Sequence, residues 1–178
     1  ERWLDDLREI NPSCEFHFVL GNHDCHPLFV DRLVAFADRR EQFSWHRYFL
    51  RLGACLFLHG DVVSKGAHDH DVLDDLRAKH HYKKNKAQVS HLAYDVAVKA
   101  RLHRVAIFAI REDVVLERVR GYAEHIGHGP DAGVTDVYFG HTHIRIDCIR
   151  FRGLRFHNGG GAIHGLPFRI IETAVTGN

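Results

Sequence analysis

Three short apolar runs, each cut off by glycine or histidine and followed by polar residues, constrain this chain more than any other feature. The run 16–20 ends at Gly21-Asn22-His23-Asp24, the run 55–58 at His59-Gly60-Asp61, and the run 137–139 at Gly140-His141-Thr142-His143. Runs of this length, rich in Phe, Val and Leu and bounded by turn residues, read as buried strands. In α/β sheets, ligands gather beyond the carboxyl ends of strands. Three such ends can therefore deliver Asn, His and Asp to one place. They can do so although His23 and His59 lie 36 positions apart and His59 and His141 lie 82 apart.

The rest of the chain supplies a setting for those strands. Apolar spacing predicts helices over 3–10 and 27–40, the second with Leu28, Phe29, Leu33, Val34 and Phe36 on one side. Residues 44–52 and 54–58 read as two strands that turn at Gly53, and 134–139, 144–151, 154–157 and 168–174 as further strands. Between about 69 and 128 the character is helical. Val72, Leu73 and Leu76 open it, Val89, Leu92, Ala93, Val96 and Ala100 continue it, and Val115, Val119, Tyr122, Ala123 and Ile126 form a third stripe stopped by Gly127, Gly129 and Pro130. Strands, a helical insertion at 69–128, then strands again predict a mixed α/β fold with layered sheets, 1–178 forming one domain.

Composition narrows the function classes. Hydrophobic residues make up 45% and charged residues 26%, as in a chain able to build a core, and Lys+Arg 24 against Asp+Glu 23 leaves no global charge to drive nucleic-acid or membrane binding. The run 105–110 is too short to span a bilayer, which takes about 20 apolar residues. The four cysteines form no C-x-x-C pair, which argues against a zinc ribbon or thioredoxin-type motif and fits a reducing, cytoplasmic setting. Histidine is abundant at 17, methionine is absent, and the sequence starts at Glu1; it reads as a segment of a longer protein.

The three motifs suit a metal. Neutral imidazole and amide oxygen are good ligands for borderline divalent ions such as Mn, Fe or Zn. In His141-x-His143 a strand would send both rings to one face, whereas a turn would direct them to two neighbouring ions. Other histidine-rich spots read more plainly. His68-Asp69-His70-Asp71 looks metal-like, but an Asp at a helix start serves more cheaply as an N-cap, and Asn158-Gly159-Gly160-Gly161 reads as a tight turn, with a phosphate-facing backbone as the other reading. His164 could reach the mouth of a site. The basic run 77–86 (Arg77, Lys79, His80, His81, Lys83, Lys84, Lys86) reads first as a solvated face, and otherwise as a surface for anionic headgroups, nucleotide phosphates or RNA.

Gly21-Asn22-His23-Asp24, His59-Gly60-Asp61 and Gly140-His141-Thr142-His143, in this order, resemble the later motifs of the calcineurin-like metallophosphoesterases. The resemblance implies a four-layer αββα sandwich lacking its first strands. It also implies two divalent ions, manganese favoured. Asn22, His59 and His141 would bind one and His143 the other. His23 would act at the leaving group as a catalytic residue, oriented by Asp24. The activity implied is metal-dependent hydrolysis of a phosphate ester or pyrophosphate. The insertion 69–128 looks like the lid of UDP-2,3-diacylglucosamine hydrolases, which points to a nucleotide-sugar or lipid-linked substrate. It also points to a cytoplasmic protein that can lie at the inner face of a membrane through 77–86, with nucleic acid a weaker partner. The family's opening motifs, Asp-x-His and Gly-Asp-x-x-Asp, do not precede Gly21. The reading is that they lie upstream of Glu1, and that the chain without them is inactive. The rival reading is a non-catalytic relative used for binding or assembly.

Overall fold

The computed structural model describes residues 5–6, 9–86, 111–162 and 165–175, the side chains of 80–86 excepted. It is a mixed α/β fold. A parallel pair, β1 (Phe16–Val19) and β2 (Phe43–His46), is joined by helix α1 (Pro27–Ala37). Five more strands form one sheet: β3 (Phe49–Leu52), β4 (Cys55–Leu58), β5 (Asp136–Phe139), β6 (Arg145–Phe151) and β7 (Leu154–Gly159), in the order β3-β4-β5-β7-β6. Between β4 and β5 run α2 (His70–Lys86) and α3 (Glu112–His125).

The core lies between this sheet and α3. Val115, Leu116, Val119, Tyr122 and Ala123 repeat at helical spacing and are buried against Leu56, Leu58, Val137, Leu154 and Phe156. Helix α3 stops where glycine permits it: Gly127 takes a positive φ, and the His128 N–H reaches back to the Ala123 carbonyl at 2.8 Å. Helix α2 is capped by Asp69, whose Oδ1 accepts from the Val72 N–H at 2.8 Å. His70 stacks face to face on Tyr48, ring centroids 3.9 Å apart. Asp69 thus starts the helix and His70 packs it.

Three expectations change. The stretch 44–52 is not one strand: it breaks at residues 47–48 into β2 and β3, which belong to different sheets. The stretch 168–174 makes only an isolated bridge from Phe168 to Gly160, and Ile170 stays 80% exposed. Pro167 has no N–H to give a ladder, and the segment instead lies across the sheet, the Tyr138 and Thr173 hydroxyls 2.7 Å apart. Arg77 does not belong to a solvated basic face, because its side chain is 3% exposed and salt-bridged. The stripe at 89–100, the run 105–110 and His164 lie outside the described residues. Among the described residues no helix is long and apolar enough to cross a membrane.

Candidate metal centre

Strand register brings the second and third motifs together. β4 and β5 run parallel with Leu58 beside Phe139, so the next residues, His59 and Gly140, also lie side by side, the Gly140 N–H donating to the His59 carbonyl at 2.9 Å. Gly60 follows with φ +104°, a conformation that suits glycine, and a Cβ there would sit 2.7 Å from the Gly140 carbonyl oxygen. The first motif arrives from β1. Gly21 lies directly under the His59 ring, where a Cβ would fall 2.5 Å from Cε1. These close approaches explain why glycine stands beside each donor.

The result is a compact cluster. His59 Nε2 is 3.1 Å from Asn22 Oδ1 and 3.3 Å from His141 Nδ1, and the two rings lie 5.2 Å apart, edge to face. Asn22 is buried at 9% exposure. Burial, then the neighbouring His59, pushes the His141 imidazole down to about 4. Burial likewise lowers His59. Both rings are therefore neutral at pH 7, with lone pairs available for a ligand. His141 and His143 sit at φ 64° and 58°, the left-handed region that non-glycine residues rarely adopt. The His141-Thr142-His143 segment is accordingly a turn, not a strand. The His141 ring meets His59, whereas His143 packs over Gly161, where a Cβ would fall 2.8 Å from its Nδ1.

His23 is exposed, yet near enough that its charge weighs on both His59 and His141. Asp24 is half-buried and closes the motif's own turn: its Oδ2 accepts from the Gly21 N–H at 3.3 Å, and its N–H donates to the Gly21 carbonyl at 3.0 Å. Beside the cluster opens a cleft of about 310 Å³, lined in part by Asn22, His141, Ser64, Leu76, Arg77 and Lys79.

Two supporting residues escaped the sequence reading. Asn158, expected with Gly159 in a tight turn, instead lies fully buried at the end of β7; its Nδ2 donates to the Gly140 carbonyl and the Thr142 hydroxyl, both at 3.1 Å, and so shapes the loop that carries His141. The signal was an asparagine at the third inward position of an alternating strand, after Leu154 and Phe156. Arg77 donates to Asp61, Leu20 and Arg47. Its signal was an arginine four residues after buried Leu73, on the helix's inward face.

The donors fit a divalent ion on their chemistry and their spacing. Ligands at about 2.0–2.2 Å from a shared ion stand roughly 3.0–3.5 Å from one another, the range of the two separations around His59. Among the described residues no group of three or more His, Cys, Asp or Glu side chains is arranged to hold a metal; the cluster here is two imidazoles and one carboxamide. Comparisons with family models, curated proteins and solved structures find no match for this chain.

Proposed function

We propose that this chain is part of a metal-dependent phosphoesterase, built as a four-layer αββα sandwich and acting on a phosphate ester or pyrophosphate. The observation that carries the reading is His59, held between Asn22 and His141 at ligand-to-ligand distances. Asn22, His59 and His141 would hold one divalent ion, manganese favoured, and His143 would serve a second. When bound, such ions draw electron density from phosphoryl oxygens and lower the pKa of water at the site.

The chain's own residues do the rest. Neutral His59 and His141 present lone pairs, and the Asn22 carboxamide adds an oxygen without adding charge. His23, exposed beside the cluster, is placed to give a proton to a leaving oxygen, a role worth roughly 10²–10⁴ in rate. Asp24 fixes the turn from which His23 projects. Lys79 lines the cleft, is exposed, and makes no ion pair among the described residues, which suits it to hold an anionic part of a nucleotide-sugar or lipid-linked substrate. Lys79→Ala should raise KM severalfold and leave kcat nearly unchanged.

The test is Mn²⁺-dependent hydrolysis of bis(p-nitrophenyl) phosphate by the full gene product. Turnover should vanish in His59→Ala. It should fall about 10²-fold or more in His23→Ala with bound manganese unchanged. Loss of manganese in His23→Ala, with unaltered turnover per bound ion, would refute the role given to His23. Two ions bound without turnover would assign the chain instead to a non-catalytic binding or assembly module.

A further inference from the structure

Arg77 is an arginine inside the protein. Its Nε donates to Asp61 Oδ2 at 2.8 Å and its Nη2 to Asp61 Oδ1 at 3.1 Å, a bidentate pair whose side chains are 3% and 5% exposed. The same Nη2 donates to the Leu20 carbonyl at 3.0 Å, and Nη1 to the Arg47 carbonyl at 2.7 Å. One guanidinium on α2 thus joins the end of β1, the link between β2 and β3, and the loop after β4.

The points it holds are placed with regard to the cluster. Leu20 precedes Asn22 by two residues, with Gly21 between; Asp61 follows His59 by two residues, with Gly60 between. Each donor therefore hangs on a glycine, the residue that restrains backbone least. In each case the residue across that glycine is fixed by Arg77. Desolvating two charges is costly, and a buried ion pair is often no more stabilising than apolar residues of equal volume. Net stability is thus a poor reason for this pair, and fixed geometry a better one. Only a planar fork can serve a carboxylate bidentately and two carbonyls together; an ammonium cannot.

We propose that Arg77 is a positioning residue of the metal centre, setting Asn22 against His59 by anchoring Leu20 and Asp61 across their glycines. The inference deepens the proposed function, and its first readout needs no metal. In the full gene product without metal, an NOE between the His59 and His141 ring protons reports the cluster directly. Arg77→Lys should lose it and, in a Mn²⁺ titration followed by EPR, weaken binding at least tenfold. Val119→Ala, a buried truncation in α3 that removes no hydrogen bond to Leu20 or Asp61, should be destabilised yet keep both. Should Arg77→Lys fail to fold, Asp61→Asn, which keeps one acceptor oxygen, should give a partial loss of the NOE. A wild-type NOE in the folded variant, or equal loss in Val119→Ala, overturns the proposal. If the wild-type chain shows the NOE and binds no Mn²⁺, the phosphoesterase reading falls, and the NOE comparison still decides the role of Arg77.

Discussion

At the scale of single residues, the site is a matter of clearance and charge. The His59 ring occupies the space that a side chain at position 21 would need. Gly21→Ala should therefore push the ring off Asn22 while leaving the far-ultraviolet circular dichroism unchanged and, if the centre binds manganese, weaken that binding tenfold or more. His141 carries a pH consequence. Its folded pKa of about 4 lies below the 6.5 of a free imidazole, so as pH falls the unfolded chain takes up the proton first. The stability it contributes is complete above about pH 6.5 and is lost as pH drops toward 4. Urea unfolding of the metal-free protein should weaken across that window by up to roughly 3 kcal/mol from this group. His141→Asn should flatten the slope.

At the scale of elements, α2 and α3 do different work. Helix α3 is an ordinary core helix, and its sheet partner Leu56 is fully buried; Leu56→Ala should cost about 2–5 kcal/mol in urea unfolding. Helix α2 contributes a buried cation. Arg77→Met should cost about 3–5 kcal/mol, since it strands the Asp61 carboxylate and two carbonyls, and pairing it with Asp61→Asn should cost less than the two changes summed. Helix α3 was legible because its apolar spacing is set by the sheet that it covers; of the apolar side expected on α1 only Leu33 and Phe36 are buried, while Leu28, Phe29 and Val34 are exposed. The breaking of 44–52 was not: both halves read as strand, and only the tertiary arrangement decides that β2 pairs with β1 while β3 pairs with β4. Arg77 and Asn158 were hidden for a related reason. Arg77 looks like a solvated cation, and Asn158 like the start of a glycine-rich turn, until their partners, contributed by distant loops, are known.

Across the whole molecule, the meeting of His59 with His141 was legible from strand ends alone, because parallel pairing of β4 and β5 carries the motifs to one edge. The segment 168–174 misled because its apolar residues resemble a strand, while its neighbour Pro167 and the lack of a continuous ladder make it a strap. If the centre binds manganese, ligand linkage should raise the melting temperature: at 100 times Kd the folded state gains about 2.7 kcal/mol. Differential scanning fluorimetry should show that shift in wild type and not in His59→Ala. The left-handed backbone at His141 and His143 adds a bias of its own. Asparagine or glycine tolerates that backbone more readily than histidine, so selection for hardiness alone would erode both imidazoles, and their persistence among sturdier descendants would be a record of selection for chemistry.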